Sequence, residues 1–262
     1  MPSLETAAQP KELFDRFTGS RLPEVRVMGR IQLYQFGPLG GQESASPFCV
    51  KVRNAMRYKR LDFDTINATS PGQVRKLSPR GKLPVVIDEG VKLADSTDII
   101  RHLEERHPEP RLYPQEPRTR AMALMIEDWA DESLYWHVVY ERWQVPEQFA
   151  RFAEVVFSPV PAPVRPMVRL LFGRQTRGQL RGQGLGRLGL DEQRGKLRAA
   201  LDWLEAMVDG QFLCGGELSI ADVAVAAQVD ALNIPFTPVA EAEIHAHAKV
   251  MKWLERTFEA IG

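Results

Sequence analysis

The chain has 262 residues, of which 44% are hydrophobic, so it can bury one large core or two modest ones. Its 34 basic and 34 acidic residues cancel, which argues against a general nucleic-acid partner or a general acidic-membrane partner. Cys49 and Cys214 are too few for a disulfide framework or a cysteine metal cluster, so we expect no metal and a reducing compartment. The stretch from Met1 to Arg30 lacks an apolar signal core. We therefore expect a cytoplasmic protein without a transmembrane segment.

Charge is distributed unevenly along the chain. Residues 127–154 are rich in Asp and Glu, whereas residues 165–198 are rich in arginine. One interpretation is two solvated faces that pair with each other. The alternative is a basic surface that binds an anionic partner. Peripheral contact with a membrane also stays open.

The N-terminal part alternates between strand and helix patterns. Residues 1–29 are predicted to be an extension. Hydrophobic alternation and β-forming residues then predict four strands, at Ile31–Phe36, Phe63–Ile66, Leu83–Ile87 and Val91–Leu93. Helices are predicted from Pro47, over Gln73–Leu77 and over Ser96–Arg106. A helix between the first two strands implies that they run parallel, and a turn at 88–90 makes the last two an antiparallel hairpin.

Prolines concentrate at residues 107–117 and predict a domain boundary. We expect one domain over residues 30–107, a linker over 108–117 and an all-helical domain over 118–262. Helical periodicity in the second domain covers Arg118–Arg142, Glu147–Phe157, Leu190–Val208, Ser219–Leu232 and Ala242–Phe258. Residues 158–189 are rich in proline, arginine and glycine, which predicts an irregular excursion with a short helix near Val164–Phe172.

The segment Ser46–Cys49, Ser-Pro-Phe-Cys, lies where the first helix is predicted to begin. Unpaired backbone N–H groups and the positive end of the helix dipole lower the pKa of a thiol placed there. The spacing is that of the Cys-Pro-aromatic-Cys motif of glutaredoxins, with serine in place of the first cysteine. A hydroxyl cannot exchange disulfides, but it can donate a hydrogen bond to a thiolate brought by a ligand, worth on the order of 1–3 kcal/mol. Ser46 is thus the candidate catalytic residue. It is also expected to cap the helix, and Cys49 is expected to be a buried helix residue.

Two further segments complete the candidate site. The triplet Lys82-Leu83-Pro84 opens a predicted strand, and a cis bond before the proline would turn the Leu83 backbone toward an added peptide strand. An edge-strand proline is the plainer alternative. The pair Asp95-Ser96 lies where a helix begins, so the helix N-terminus favours a ligand carboxylate while Asp95 holds an ammonium group. Amine plus carboxylate matches the γ-glutamyl end of glutathione, although such a pair is commonly only a cap.

In their order, the Ser-Pro-Phe helix, the Lys-Leu-Pro strand and the Asp-Ser helix resemble the N-terminal domain of glutathione S-transferases. Leu218–Asp222 is similar to the capping motif of that family's helical domain, and the resemblance covers about residues 30–260. It implies a thioredoxin-like domain with a mixed four-stranded sheet and helices, followed by an all-helical domain. It also implies glutathione as co-substrate, a small hydrophobic electrophile as second substrate, and a homodimer. In this interpretation Ser46 stabilises the thiolate, and glutathione is bound by Lys82, Leu83, Pro84, Asp95 and Ser96.

A narrower resemblance is to the branch that contains the failed axon connections proteins and the metaxins. It depends on Ser46–Lys51, Leu134–Trp136, Tyr140–Trp143 and Gly182–Arg187, and it departs from that branch at Leu188, where the branch has histidine. Many members of the branch lack an established reaction. Three functions therefore stay open: a glutathione transferase, a non-catalytic binding or assembly module that uses the basic excursion, and a glutathione-dependent oxidoreductase that uses Cys49.

Aromatic residues suggest two more alternatives. Several transferase classes use a tyrosine near the end of the first strand, but Phe36 lies closer to that position than Tyr34. The other aromatic residues have a mixed helical spacing that is typical of a core stripe, although some could form the wall of a hydrophobic pocket. They are Trp129, Trp136, Tyr140 and Trp143.

Overall fold

The structure, a computed structural model, describes residues 31–78 and 80–262, so the predicted extension over residues 1–29 lies outside the described residues. The N-terminal part consists of β1 (Ile31–Gln35), α1 (Pro47–Tyr58), β2 (Phe63–Asn67), α2 (Pro71–Leu77), β3 (Val85–Asp88), β4 (Val91–Ala94) and α3 (Ser96–Arg106).

These strands form one mixed sheet in the order β2-β1-β3-β4. Strand β1 is parallel to β2 and antiparallel to β3, with Leu33 opposite Thr65 on one side and Val86 on the other. Leu33 and Val86 share a core cluster with side chains of α1 and α3, whereas Val85 packs with Val74 of α2 in a second cluster. Helices therefore cover both faces of the sheet. The parallel pair β1/β2 and the antiparallel pair β3/β4 are those that the crossover and hairpin patterns predicted.

The rest of the chain is helical. It consists of α4 (Pro117–Trp129), a π-helical segment (Ala130–Leu134), α5 (Tyr135–Val139), a second π-helical segment (Tyr140–Gln144), α6 (Pro146–Val156), α7 (Arg165–Gln183), a 3₁₀ turn (Leu185–Arg187), α8 (Leu190–Met207), α9 (Ile220–Leu232), α10 (Pro238–Ala246) and α11 (Ala248–Ile261). Helix α9 is buried along nearly its whole length. A mixed sheet with helices followed by an all-helical part confirms the predicted fold class.

The start of α9 confirms the predicted capping motif. The Asp222 carboxylate accepts hydrogen bonds from the Ser219 amide and hydroxyl, each at 3.0 Å. It also accepts from the Leu213 amide at 2.8 Å and from the Trp253 indole at 2.9 Å. One side chain therefore satisfies the helix end and ties it to a preceding loop and to α11.

The basic excursion is more regular than its composition suggested. The expected short helix is α7, which runs for 19 residues. The reason is positional: Pro166 lies in the first turn, where its missing N–H is harmless, and most of the following residues are good helix formers. Gly184, with φ +121°, ends the helix. Among the described residues, no helix, α7 included, combines the length and apolar character needed to cross a membrane.

Candidate functional site

A cavity of about 310 Å³ lies between the sheet domain and α4. It brings together all five residues that the sequence assigned to glutathione, namely Lys82, Leu83, Pro84, Asp95 and Ser96. Helix α4 and the π-helical segment after it supply the opposite wall, with Leu124, Glu127, Asp128, Asp131 and Glu132. Phe48 lines the cavity from α1, whereas Ser46 is not among its lining residues.

The strand-opening triplet forms one side of the cavity. The peptide bond between Leu83 and Pro84 is cis, as the sequence suggested. Leu83 and Pro84 are buried while Lys82 is exposed. The Leu83 side chain packs in the cluster that contains Cys49 and Val85, which fixes its backbone at the cavity wall.

The start of α3 forms the adjacent side. Asp95 is the N-cap of α3, and its Oδ1 accepts a hydrogen bond from the Thr97 amide at 3.1 Å. Its backbone has φ +92°, a conformation that costs a non-glycine residue about 1–3 kcal/mol and that clusters at ligand sites. The other carboxylate oxygen lies 4.0 Å from Arg80 Nη1 and remains half-exposed. Ser96 is buried in the first helical turn. This corner can therefore offer helix N–H groups to a carboxylate and an oxygen to an ammonium group.

A buried ionic cluster joins the two domains beside the cavity. Lys51 of α1 is fully buried, and its Nζ lies 2.7 Å from Glu127 Oε1 and 2.6 Å from Asp131 Oδ2. The Thr97 hydroxyl donates to the same Glu127 oxygen at 3.1 Å. Burial raises the pKa of Asp131 to about 6, because desolvation outweighs the attraction of Lys51. The sequence showed these carboxylates only as part of an acidic stretch, so this cluster was missed.

Ser46 lies at the N-terminus of α1 but makes no side-chain cap. Its carbonyl accepts hydrogen bonds from the amides of Cys49 and Val50, at 3.0 and 3.1 Å, while its hydroxyl bonds no amide of the first turn. The expected capping role of the side chain is therefore wrong. The Ser46 and Ser44 side chains lie near the Cys49 thiol and favour its thiolate form. The Ser46 side chain is half-buried.

Cys49 is fully buried, as expected. Burial raises the pKa of its thiol, although the Phe36 backbone and the two serine side chains favour the thiolate. A thiol that is both inaccessible and protonated is a poor nucleophile. The tyrosine alternative is also disfavoured, because the Tyr34 hydroxyl donates to Gln32 at 3.1 Å and does not line the cavity.

Comparison with known proteins identifies the family. Residues 44–111 match the model of the glutathione S-transferase N-terminal domain, and residues 188–256 match that of the glutathione S-transferase C-terminal domain. Together these matches cover just over half of the chain. The chain belongs to the glutathione S-transferase superfamily.

Three similar proteins illustrate the range of proteins that this chain resembles. The isoprene-epoxide glutathione S-transferase of Rhodococcus sp. (strain AD45) is 26% identical over 74% of this chain and 83% of that protein. Rat maleylacetoacetate isomerase is 34% identical, but over only 30% of this chain and 40% of that protein. The crystal structure of the β-etherase LigF from Sphingobium sp. strain SYK-6 covers 87% of this chain and 94% of its own, with a TM-score of 0.62 and 24% identity. The last of these likenesses shows the glutathione S-transferase fold alone.

A buried arginine fixes the loop that leads to Ser46 in this glutathione S-transferase fold. Arg142, from the second π-helical segment, donates to the Ala45 carbonyl at 2.8 Å and to the Ala231 carbonyl at 2.5 Å. In the same loop the Gln42 amide donates to the Asp230 carboxylate at 2.8 Å. Burial lowers the pKa of Arg142 to about 10 and raises that of Asp230 to about 6. We call this set the loop clamp. The sequence held no signal for it beyond an arginine among aromatic residues.

The four aromatic residues Trp129, Trp136, Tyr140 and Trp143 do not line the described cavity. Trp143 packs against Phe149, Phe152 and Phe157 at ring-centroid distances of 5.7, 5.1 and 6.4 Å, which fits the core-stripe interpretation. Tyr135 contacts Phe48 of the cavity wall at 4.7 Å. Phe48 is therefore backed by a second aromatic ring where it lines the cavity.

Proposed function

We propose that the chain is a glutathione transferase that binds glutathione in this cavity and joins its sulfur to a small hydrophobic electrophile. One observation supports it above the others. Two segments that are separate in the sequence and were assigned to different parts of glutathione, Lys82–Pro84 and Asp95-Ser96, line a single cavity, and Phe48 lines it beside them. A glutathione-dependent transferase or isomerase is also what the family membership supports.

In this proposal each part of glutathione has a partner. The α-carboxylate of the γ-glutamyl unit is bound by Ser96 and the N–H groups at the start of α3, and its ammonium group is bound by Asp95. The Leu83 backbone pairs with the cysteinyl unit, in the manner of an added strand. The exposed cation of Lys82 is available to the second carboxylate of the tripeptide.

Ser46 would then stabilise the thiolate. Its hydroxyl donates a hydrogen bond to the sulfur, and the N-terminus of α1 adds the positive end of a helix dipole. The thiol proton leaves to solvent, the sulfur forms a bond to carbon, and the leaving group departs with its electron pair. An epoxide is another electrophile of this class, by analogy with the Rhodococcus relative: its ring C–O bond breaks as the C–S bond forms, and the oxygen stays on the product and takes a proton from solvent. Phe48 and Tyr135 offer an apolar surface for it.

The binding step is tested first. Calorimetry with millimolar glutathione should detect binding to the wild type and to Ser133→Ala, an exposed serine outside the cavity. Binding should fall about tenfold or more in Ser96→Ala, which loses a hydrogen bond to a charged group. A wild-type protein that binds no glutathione at millimolar concentration would overturn the proposal.

The chemical step is tested next. In Ser46→Ala, conjugation to a generic aryl halide should fall by roughly ten- to a hundredfold, since 1.4 kcal/mol corresponds to a factor of ten. Glutathione binding should change much less. Unchanged turnover would move the thiolate-stabilising role away from Ser46.

Two alternative functions are compared with this proposal. A binding or assembly module, as the resemblance to the metaxin branch suggested, is supported by α7, which lies between the two family matches. An oxidoreductase that uses Cys49 is disfavoured by the burial of that thiol. The same proposal includes the domain division at residues 30–107, 108–117 and 118–262, the homodimer and the cytoplasmic location.

A further inference from the structure

The outward face of α7 combines exposed apolar residues with arginine. Met167, Leu170 and Leu171 are exposed at 57%, 54% and 56% of their surface. Arg174 and Arg181 follow at helical spacing, so they extend the same face toward the C-terminal end of the helix. We call these five residues the α7 ridge. An exposed apolar cluster of this kind marks an interaction surface.

The opposite face of α7 packs on its own protein. Leu180 is fully buried, and a Cβ at Gly173 would lie 3.1 Å from Phe149. Arg169 and Arg177 stack over the Phe149 ring, each at 5.1 Å. The packed face of α7 therefore holds the helix against the protein, and the side chains of the ridge are exposed to solvent.

The charged residues in the segment that carries the ridge have a single sign. Between Glu154 and Asp191 the sequence has no acidic residue, and it has Arg165, Arg169, Arg174, Arg177, Arg181 and Arg187. Within residues 31–78 and 80–262, neither Arg174 nor Arg181 forms an ion pair. The zero net charge of the chain does not cancel this local field, because salt screens charges beyond about 8–10 Å.

We propose that the α7 ridge docks the protein on an anionic lipid bilayer. Leucine and methionine side chains insert into the boundary between headgroups and acyl chains, and the arginines bind lipid phosphates, as in interfacial amphipathic helices. The complementary charge is that of the bilayer surface, and the aliphatic side chains match its interior. Helix α7, which carries the ridge, contains no acidic residue, because the acidic stretch over residues 127–154 belongs to other elements. This proposal does not depend on glutathione chemistry.

Vesicle co-sedimentation of the full chain tests the proposal. In 0.1 M salt the protein should sediment with vesicles of phosphatidylcholine and phosphatidylglycerol, and far less with phosphatidylcholine alone. In 1 M salt the arginine contribution should largely disappear, because the Debye length falls to about 3 Å. Failure to sediment with the anionic vesicles in low salt would overturn the proposal.

Matched variants separate the two contributions. The double variant Leu170→Ser, Leu171→Ser keeps the charge and should bind at least about tenfold more weakly. Arg174→Gln, Arg181→Gln should weaken binding by roughly twenty-five-fold, since each arginine near an anionic surface contributes about fivefold. Trp203→Ser, which changes an apolar residue exposed at 61% on α8, should bind as the wild type does.

Two outcomes would contradict lipid docking even if the protein binds something anionic. Vesicle binding that persists unchanged in the double serine variant would indicate a purely electrostatic surface. A fall in molar mass of the same variant by light scattering would identify the ridge as an interface between copies of the chain. Circular dichroism of each variant checks that its fold is retained.

Discussion

Replacement of Arg142 by methionine tests whether the loop clamp positions the candidate site. The change keeps most of the side-chain volume and removes the guanidinium that joins Ala45 to Ala231. Two buried carbonyls then lose their donor, and each buried unpaired group costs about 1–3 kcal/mol. With the loss of the nearby charge partner of Asp230, we expect the free energy of unfolding to fall by about 3–5 kcal/mol.

The pH dependence of this loss follows from Asp230. Burial already raises its pKa to about 6, and Arg142 opposes that rise. Without Arg142 the pKa rises further above the unfolded value. A raised folded-state pKa gives stability that is present below the unfolded pKa and lost as the pH rises through the folded one. The deficit of Arg142→Met should therefore be larger at pH 8 than at pH 5.

Denaturant unfolding followed by tryptophan fluorescence measures the loss, and conjugation kinetics measure the effect on the site. Turnover should fall about tenfold or more, because the loop that carries Ser46 is released, while glutathione affinity changes less. The stability and turnover of Arg142→Lys should lie between those of the wild type and of Arg142→Met. Lysine keeps a charge but lacks the planar fork that reaches both carbonyls. Arg198→Met, which removes a mostly exposed partner of Glu243, should lower the stability far less than Arg142→Met does. A loss below about 1 kcal/mol for Arg142→Met, or normal turnover in a destabilised variant, would refute the reasoning.

Four other substitutions have distinct expected outcomes. Asp95→Gly relieves a backbone with φ +92° and should leave stability equal or up to about 1 kcal/mol higher, while calorimetry shows glutathione affinity lower by about tenfold; tight binding by this variant would exclude the ammonium contact. Gly186→Ala should lose about 1–3 kcal/mol in denaturant unfolding, because its Cβ would lie 2.8 Å from the Arg181 backbone. Gly182→Ala, which has open space at its Cβ, should gain about 0.5–1 kcal/mol of stability. Equal effects of Gly186→Ala and Gly182→Ala would contradict the close packing at Gly186. Burial lowers the pKa of His137 to about 4. The buried neutral imidazole therefore contributes about 3 kcal/mol to the free energy of unfolding, which is present above pH 6.5 and lost as the pH falls through 4. His137→Gln should lack this dependence when unfolding is measured against pH, and parallel curves for the two proteins would reject it.

The fold and the cavity-lining residues were predictable because each depends on a short stretch of sequence. Alternation gave the strands, and turn residues gave the hairpin. Lys82–Pro84 and Asp95-Ser96 each lie at the start of an element, where the chemistry of the backbone is set by two or three neighbours. Such local features need no knowledge of the rest of the chain, and the structure indeed places them around one cavity.

The contacts between domains were not predictable for the opposite reason. Lys51 meets Glu127 and Asp131 across a long sequence separation, and nothing in the local pattern of either partner marks it as buried. The carboxylates were seen as a solvated face or as partners of the arginine-rich stretch. In the structure the arginine-rich stretch contacts these carboxylates more loosely than Lys51 does, with Arg194 Nε 3.6 Å from Glu141 Oε1. Segments of opposite net charge predict attraction, but packing decides which side chains meet.

The two π-helical segments connect these missed contacts. Each inserts an extra residue into a helix, which rotates the following side chains relative to an uninterrupted helix. Asp131 lies in the first segment and Arg142 in the second, and both reach the sheet domain from there. A helix of constant pitch through residues 117–144 would direct the second residue elsewhere, so the helical periodicity from Arg118 to Arg142 predicted the element correctly but not the direction of its side chains. The loop before Ser46 and the ionic cluster beside the cavity thus depend on the same departure from regular helix, which is the feature that sequence periodicity averages away.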